Sequence, residues 1–548
     1  MPAAGLPRRV PGSIVMHART IGLVAAAGIA LTPALTTAGA PPAAVAAPGA
    51  AAGDVAGGAV VRPAHVFADH MVLQRERPVP VWGTAPAAAE VVVEFADRST
   101  AARAGADGRW CVTLAPLAAS AAGRDLVVRA GADRVVLRDV VVGEVWLAGG
   151  QSNMAYTAGQ MAARLPEGKE LVAAADLPGV RLCRIADADA PEPRPDLAAR
   201  ATWDVATPAA VAGHSAVALV FARRLHRELG VPVGVVDCSR GGTPIEPFIP
   251  AGAFVGHPTL ERLAALAGAG DVAAIRALPG GTLVRGPSWL AGAIFNGRIA
   301  PLAPFAIRGA IWYQGESNCG QGEDPRDYAH KMRALVAGWR AAFAQDDLPV
   351  YFVQLPRWRS YAWPHLREEQ RRAADVPGTG MVVTIDLDDA GDIHPPNKID
   401  VGERLARWPL RRLHGRDVAV EGPVFRGLVV RGGAVTVAFD HAAGGLVAAA
   451  LPATPGMFAD SGATLIHGCE LAGDDGRWHD ALARIEGESL VVACAAVPLP
   501  RAVRYACRPE PPPDRPWNLC NTSGLPAGPF CSDWSLTPYE SDRNPPAP

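Results

Sequence analysis

A serine behind two glycines, at the end of an apolar segment, has the setting of a nucleophile. Val140 to Ala148 reads VVVGEVWLA, which predicts a strand buried on both faces, and Gly149 to Ser152 (GGQS) follows directly. The glycines permit a tight turn, and we expect a helix to start at Ser152, where free backbone N–H groups favour negative charge. A hydroxyl placed there can attack a carbonyl carbon while its own N–H holds the oxyanion. The competing interpretation is that Ser152 only caps the helix.

A histidine with nearby carboxylates follows the last strand of the same pattern. Met381 to Asp386 predicts a strand, and the next residues (DLDDAGDIHPP) place Asp392 two positions before His394. A histidine takes a proton from a serine most effectively when a carboxylate orients its other ring nitrogen. Asp392 is our choice for that carboxylate, and Asp388 and Asp389 are the competing ones. The alternative interpretation is that His394 and a neighbouring aspartate only form an ion pair on the surface.

Two more strand ends carry polar or glycine-rich segments. Val231 to Val236 predicts a strand followed by SRGGT at 239–243, and Ile307 to Tyr313 predicts one followed by QGESN at 314–318. A Gly-Gly loop lets backbone N–H groups approach a ligand, and amide side chains donate hydrogen bonds. Taken alone, each of these segments is better interpreted as an ordinary turn. Because ligands bind at the carboxyl ends of parallel strands, the four segments together predict one hydrolase site.

The elements that must position these residues fall into three regions. Between 140 and 415, strands alternate with helices, such as the one with Val217, Phe221, Leu225 and Leu229 ended by Gly230, which predicts an α/β fold. Residues 251–290 are expected to form a helical insertion in this region.

The two flanking regions have the pattern of β-strands. Trp110, Val112 and Leu114 alternate with Cys111 and Thr113, and short β-rich runs predict a sandwich-like β-domain at 59–139. Val435, Val437 and Phe439 alternate likewise, and a hairpin turn is expected at Gly432-Gly433. We therefore expect a C-terminal β-domain at 416–535, with a tail at 536–548.

Composition excludes several classes of protein. The 548 residues carry 52 Lys and Arg against 54 Asp and Glu, so a strongly basic nucleic-acid surface is excluded. Residues 1–40 are typical of a cleaved export signal and 41–58 of an Ala/Gly/Pro linker, so we expect a periplasmic or extracellular protein with no later membrane span. The nine cysteines form no C-x-x-C pair, and H-E-x-x-H and P-loop motifs are absent. We therefore expect neither a metal nor another cofactor, and the oligomeric state stays open.

Several segments resemble a known family. VWLAGGQSNM, SRGGTPIE, IWYQGESN and DIHPPNK are similar to the blocks of the sialate O-acetylesterase family, within the SGNH/GDSL-type hydrolases. FADHMVLQRERPVPVWG at 67–83 and NLCNTSGLPAGPF at 518–530 extend the resemblance to about residues 60–535. It implies an SGNH-type α/β/α parallel sheet flanked by N- and C-terminal β-domains. It also implies a serine esterase that removes acetyl groups from a sugar or glycan.

The resemblance also implies a role for each matched residue. Ser152 would be the nucleophile, His394 the general base and Asp392 its orienting carboxylate. The oxyanion donors would be the N–H of Ser152, the N–H of Gly241 or Gly242, and the amide of Gln314 or Asn318, with Gln314 preferred. Three residues are weaker candidates for contact with the substrate: Arg240, Glu316 and Trp358.

Other functions fit less well. An acetylated xylan or another polysaccharide is the main alternative to an acetylated sialic acid as substrate. A lipase of the α/β-hydrolase type would need G-x-S-x-G, but Ser152 is followed by Asn153 and Met154. GAGDVA at 268–273 matches a nucleotide-binding pattern but follows no predicted strand. A non-catalytic carbohydrate-binding protein stays open as an alternative of another class.

Overall fold

The structure is a computed structural model, and it describes most of the chain beyond residue 59. The described ranges are 60–278, 289–319, 324–387, 391–450, 464–512 and 515–540. The predicted signal, linker and most of the predicted tail lie outside them, as do Asp388 and Asp389.

Short strands make up the N-terminal part. They are β1 (Arg62–Pro63), β2 (Val72–Gln74), β3 (Val79–Thr84), β4 (Glu90–Phe95), β5 (Arg98–Arg103), β6 (Arg109–Leu114), β7 (Ser120–Ala130) and β8 (Asp133–Gly150). One sheet has the order β1-β3-β6, and a second joins β4, β5 and β7 to the first half of β8. In β6, Trp110, Val112 and Leu114 are buried and alternate with exposed residues, which confirms the predicted period of two.

A parallel sheet forms the centre of the molecule. Besides β8 it contains β9 (Leu177–Arg184), β10 (Trp203–Ala206), β11 (Val233–Asp237), β12 (Gly309–Tyr313), β13 (Val350–Val353) and β14 (Thr379–Val382). The order is β10-β9-β11-β8-β12-β13-β14, and only the edge strand β10 runs antiparallel to its neighbour. The long strand β8 passes from the N-terminal sheet into this one. The domain boundary that we expect at residues 139 and 140 therefore falls inside a continuous strand.

Ten α-helices occur in the described ranges. They are α1 (Ser152–Ala155), α2 (Ala158–Arg164), α3 (Pro166–Ala173), α4 (Pro208–Val211), α5 (Ala216–Leu229), α6 (Pro258–Gly268), α7 (Val272–Arg276), α8 (Tyr328–Ala342), α9 (Trp363–Ala373) and α10 (Lys398–Arg412). Single 3₁₀ turns include Glu246–Phe248 and Glu316–Cys319. The predicted helix around Phe221 is confirmed as α5, and Gly230 ends it in the left-handed conformation with φ 66°.

Helices cover both faces of the central sheet. On one face Phe221 of α5 packs against Trp146, with ring centroids 5.1 Å apart, and Trp408 of α10 stacks on Tyr351 at 5.8 Å. On the other face Trp339 of α8 packs against Trp312 at 5.8 Å. Because α-helices lie on both sides of parallel strands, the predicted α/β fold class is confirmed.

The C-terminal part is again built from β-strands. They are β15 (Val424–Arg431), β16 (Ala434–Asp440), β17 (Leu446–Ala448), β18 (Leu465–Ile466), β19 (Cys469–Ala472), β20 (Trp478–Asp480), β21 (Leu482–Glu486), β22 (Ser489–Ala493), β23 (Ala502–Tyr505), β24 (Leu519–Asn521) and β25 (Phe530–Cys531). The sheets have the orders β15-β16-β22-β21-β18, β17-β24 and β20-β19-β23-β25. The predicted turn at Gly432 joins β15 to β16, and Gly432 has φ 59°.

The structure differs from the sequence-based prediction in two places of the central sheet. The sequence pattern does not predict β9 and β10, which lie between β8 and β11 along the chain. The last parallel strand is shorter and earlier than the predicted Met381 to Asp386, because residues 385–387 form a turn. Over the described residues, no helix combines the length and the apolar character needed to cross a membrane.

Candidate active site

The serine segment, residues 149–155, is fitted tightly to the core of the sheet. A methyl group on Gly149 would lie 2.8 Å from the indole of Trp339, and one on Gly150 would lie 2.1 Å from the carbonyl oxygen of Tyr313. Gly150 also has φ 131°, which residues with a side chain rarely adopt. The N–H of Gln151 then donates to the Tyr313 carbonyl at 3.0 Å. Ser152 is therefore held at the carboxyl end of β8 by main-chain contacts.

The histidine loop, residues 391–397, brings His394 to Ser152. Nε2 of His394 lies 2.8 Å from Oγ of Ser152, across 242 residues of sequence. Burial, followed by the positive charge of Lys398, lowers the pKa of His394 below its ordinary value of 6.5, while Asp392 acts in the opposite direction. The imidazole is therefore neutral at neutral pH, which is the state that accepts a proton from a hydroxyl.

Asp392 lies in the histidine loop but does not bind Nδ1 of His394. One of its carboxylate oxygens accepts the main-chain N–H of His394 at 2.8 Å, and the other pairs with Arg164. This is the usual turn made by an aspartate with the residue two positions on, and it draws the carboxylate away from the ring. Within the described ranges, no side chain pairs with Nδ1. The structure thus differs from the expected contact between Asp392 and the ring.

The glycine loop, residues 239–243, places main-chain donors beside the serine. A methyl group on Gly241 would lie 3.8 Å from Cβ of Ser152, whereas one on Gly242 would point into open space. Both glycines are exposed, and the N–H of Arg240 fastens the loop to the Gly150 carbonyl at 2.9 Å. Among the residues described, no acceptor takes the N–H of Ser152, Gly241 or Gly242. These donors remain available for a ligand.

The two amides expected at the oxyanion are both buried and engaged. Nε2 of Gln314 lies 3.0 Å from Oε1 of Gln151, 2.8 Å from Oδ1 of Asn318 and 3.3 Å from the carbonyl of Thr243. Asn318 donates to the carboxylate of Glu246 and accepts from the N–H of Ile245. Instead of facing solvent, the amides tie the glycine loop and its continuation to the end of β12.

The three candidates for substrate contact lie in different surroundings. Arg240 is partly exposed beside Gly241, and its guanidinium pairs with Asp189 at 2.5 Å. Trp358 is partly buried in the loop after β13 and packs near Trp363, with ring centroids 6.5 Å apart. Glu316 is only 7% exposed and contacts Asn153 rather than the rim. Arg240 and Trp358 are thus open to solvent in part, and Glu316 is enclosed.

Three side chains that the sequence reasoning did not select also surround the pair. Nδ2 of Asn153 donates to the carbonyl of Ile393 at 2.9 Å and to Glu316 at 2.5 Å, and Lys398 contacts Oδ1 of Asn153 at 2.6 Å. Arg164 donates to the carbonyl of His394 at 3.2 Å. Burial raises the pKa of Glu316 to about 7. In the sequence, Asn153 directly follows Ser152, and Lys398 lies four residues after His394. This nearness along the chain was the only feature that could have pointed to the two residues.

No metal site is evident around this pair. Within the described ranges, no group of three or more His, Cys, Asp or Glu side chains is arranged to hold a metal ion. The groups that the described residues offer to a ligand here are a hydroxyl, an imidazole and unengaged main-chain N–H groups. That set can carry out acyl transfer through a serine.

Comparison with known proteins agrees with this chemistry. The sequence profile of the family described as "Carbohydrate esterase, sialic acid-specific acetylesterase" matches residues 286–411. The sialate O-acetylesterase of Homo sapiens is 30% identical over 398 residues, which cover 65% of this chain and 71% of the human protein. The chain belongs to the sialate O-acetylesterase family. The esterase is also 29% identical over 411 residues to the sialate O-acetylesterase of Rattus norvegicus, with 65% of this chain and 74% of the rat protein covered.

A solved structure extends the comparison to nearly the whole described chain. A carbohydrate acetylesterase from Xanthomonas citri superimposes with a TM-score of 0.73 and 32% identity, and the match covers 86% of this chain and 99% of that one. This confirms the predicted SGNH-type α/β fold with additional β-sheets. As a member of this family, the esterase is a carboxylic ester hydrolase that acts on acetylated sugars.

Proposed function

We propose that the protein is an exported serine esterase that removes O-acetyl groups from a sialic acid through an acetyl-enzyme on Ser152. The observation that carries the proposal is the 2.8 Å contact between Oγ of Ser152 and Nε2 of His394 at the carboxyl edge of the sheet. A nucleophile hydrogen-bonded to a neutral base is the arrangement that activates a serine hydroxyl.

In the first half of the reaction, Ser152 attacks the acetyl carbonyl carbon. His394 accepts the hydroxyl proton on Nε2 as the new C–O bond forms, and the carbonyl oxygen becomes an oxyanion. The unengaged N–H groups of Ser152 and Gly241 are the donors that we assign to this oxyanion. His394 then gives its proton to the sugar oxygen, the old ester bond breaks, and the deacetylated sugar leaves.

In the second half, water replaces the sugar. His394 takes a proton from the water, the hydroxide oxygen bonds to the acetyl carbon, and a second oxyanion forms in the same place. When this intermediate collapses, the bond to Oγ of Ser152 breaks, the proton returns to the serine, and acetate is released. The same imidazole thus serves as base and then as acid in each half.

We assign the remaining polar residues to support of this pair. Asp392 contributes through the main-chain N–H of His394 and through its negative charge, which stabilises the imidazolium formed during the reaction. Gln314 and Asn318 fasten the glycine loop, and so they set the position of the Gly241 N–H. Arg240 lies next to Gly241 and is our candidate for contact with the sugar.

The substrate class rests on the family and on one charge at the site. The relatives from Homo sapiens and Rattus norvegicus are sialate O-acetylesterases. Arg164 lies against the histidine loop and is 45% exposed, so its guanidinium can meet the carboxylate of an acidic sugar. Acetylated xylan is the alternative, and it offers no such charge.

Export is the part of the proposal that rests on residues 1–40. Their basic start, apolar stretch and Ala38-Gly39-Ala40 are typical of a cleaved signal. N-terminal sequencing of protein recovered from the periplasm or the medium checks this, with a start close after Ala40 expected. An intact N-terminus in the recovered protein would contradict it.

The test of function combines one substitution with a substrate panel. Ser152→Ala should lower acetate release from acetylated sialic acid by about 10⁴-fold or more, because it removes the nucleophile. Ser120→Ala, on β7 and far from the site, is the matched control and should keep full activity. Acetate released from acetylated sialic acid, acetylxylan and an aryl acetate is measured for each variant.

Three results would contradict the proposal or its choice of substrate. Activity of Ser152→Ala within tenfold of the unaltered protein would exclude this serine as the nucleophile. Binding of an acetylated glycan without any acetate release from the whole panel would instead favour a non-catalytic carbohydrate-binding protein. Faster release from acetylxylan than from sialic acid would replace the proposed substrate by its alternative.

A further inference from the structure

The main chain of the histidine loop is held by side chains from three other places in the sequence. Asn153 donates to the carbonyl of Ile393 at 2.9 Å and Arg164 to that of His394 at 3.2 Å. Nζ of Lys398 contacts the carbonyl of Pro395 at 2.6 Å. Three consecutive carbonyls thus each accept a hydrogen bond. These main-chain contacts hold the residue that carries the imidazole in place beside Ser152.

Lys398 occupies an unusual position for a cation. It is the first residue of α10 and is completely buried, although the N-terminus of a helix disfavours positive charge and burial of an ammonium group costs hydration energy. Its Nζ lies 2.6 Å from Oδ1 of Asn153, and it faces the rings of Tyr156 and Tyr313 at 5.1 and 5.4 Å. A residue that breaks local preferences in this way points to a functional requirement.

Among the residues that the structure describes, three charged side chains act on the pKa of His394. Lys398 of α10 and Arg164 of α2 are positive, and Asp392 of the loop itself is negative. Glu316, in the 3₁₀ turn after β12, faces Lys398 and bonds to Asn153. Arg164 is already paired with Asp392. The buried ammonium of Lys398 is therefore the positive charge least screened by solvent near the imidazole.

We propose that Lys398 is a positioning residue for the general base. Through Pro395 and Asn153 it holds the histidine loop at the distance that lets His394 meet Ser152. Its fixed charge also opposes a second positive charge on the resting imidazole, so the ring stays ready to accept a proton. This inference rests on the proposed function, since it assigns His394 as the base.

The experiment compares Lys398→Met with Lys398→Arg. Lys398→Met keeps the length of the side chain but removes the charge and the donors, so kcat should fall about tenfold to a hundredfold while KM changes little. The acidic limb of the kcat/KM profile should also move to higher pH by about one unit. Lys398→Arg should leave the limb in place, and Lys169→Met, which removes an exposed lysine of α3, should change neither.

An acidic limb that stays in place in Lys398→Met would overturn the charge effect, and an unchanged kcat would overturn the positioning role. A loss of kcat with an unmoved limb would therefore overturn the charge effect and support only the positioning through Pro395 and Asn153. If Lys398→Met does not fold, as judged by circular dichroism and thermal unfolding, Lys398→Gln gives the same comparison with a polar side chain.

Titration of His394 by NMR separates this inference from the proposed function. The resonance is assigned by its absence in His394→Ala, and no substrate is needed. The midpoint should rise in Lys398→Met and remain in Lys398→Arg, whether or not Ser152 is the nucleophile. An unchanged midpoint in Lys398→Met would overturn the inference, whereas an active Ser152→Ala variant would overturn the proposed function.

Discussion

The serine segment and the histidine loop meet at one point but are held there in different ways. The serine segment continues a core strand, with Gly149 and Gly150 packed against Trp339 and Tyr313. The histidine loop comes after β14, the last strand of the central sheet along the chain, and three of its carbonyls are bound by the side chains of Asn153, Arg164 and Lys398. Ser152, the proposed nucleophile, is thus placed by main-chain packing, and His394, the proposed base, by a small set of side-chain hydrogen bonds. His394 should therefore be much easier to displace without unfolding the protein.

The largest effect is expected from removal of the proposed base. His394→Ala removes the acceptor that lies 2.8 Å from Oγ of Ser152 and should lower kcat by about 10⁴-fold or more, with little change in thermal stability. Acetate release and thermal unfolding are measured together. His441→Ala, which removes an exposed histidine of the C-terminal part, is the control. If the activity of His394→Ala stayed within tenfold of that of the unaltered protein, His394 would not be the base, and the histidine loop would not place a catalytic group.

A substitution in the serine segment should act on stability first. Gly150→Ala places a methyl group 2.1 Å from the carbonyl of Tyr313 at φ 131°, so the strand end must shift. The free energy of unfolding should fall by about 3 kcal/mol, together with activity. Gly213→Ala, where a methyl group meets no atom within 4 Å, is the matched control. A stable and active Gly150→Ala variant would mean that main-chain packing does not place the serine.

Asn153→Ala tests the side-chain support of the histidine loop. It removes the donor to Ile393 and the acceptor of Lys398 at once, so kcat should fall about a hundredfold through misplacement of His394. KM and the midpoint of thermal unfolding should change far less. A loss of stability as large as that of Gly150→Ala, with no separate loss of kcat in the folded protein, would contradict the proposed difference between the two segments.

A smaller effect is expected from Asp392→Asn. The amide oxygen still accepts the main-chain N–H of His394, and only the charge and the ion pair with Arg164 are lost, so kcat should fall about tenfold. Burial raises the pKa of Asp392, but the main-chain N–H of His394 and the guanidinium of Arg164 together lower it more, so the pKa lies below its ordinary value and the carboxylate is ionised at neutral pH. A loss of about 10⁴-fold would instead assign Asp392 to Nδ1 during catalysis.

Much of the fold could be predicted because its signals are local. The four-residue repeat of Val217, Phe221 and Leu225 with Gly230 behind it predicted α5, and the alternation in β6 and β16 predicted their buried faces. Strand β9 was not predicted because Pro, Gly and Arg interrupt the apolar residues of its sequence, LPGVRLCR. Arg181 is buried there and pairs with Asp139 of β8, a partner that lies 42 residues away along the chain.

In the candidate site, too, features with a local signal in the sequence could be predicted and long-range contacts could not. Ser152, Gly241 and His394 follow strands or lie in loops at the carboxyl edge, so the rule for open α/β sheets predicts that they converge. The engagement of Gln314 and Asn318 could not be predicted, because their partners Thr243 and Ile245 lie some seventy residues away. For Asp392 the general rule of a triad predicts a bond to Nδ1, whereas in the structure the carboxylate makes a short-range turn with the N–H of His394 and pairs with Arg164.

Labelling with a fluorophosphonate tests the pairing of Ser152 with His394 most directly, because this reagent phosphonylates an activated serine far faster than an ordinary hydroxyl group. One phosphonyl group per chain should be found by peptide mass spectrometry, on Ser152, with activity lost in parallel. Ser152→Ala should not be labelled there, and His394→Ala should be labelled far more slowly. Stoichiometric labelling of a different residue with loss of activity, or equally fast labelling of His394→Ala, would contradict the account.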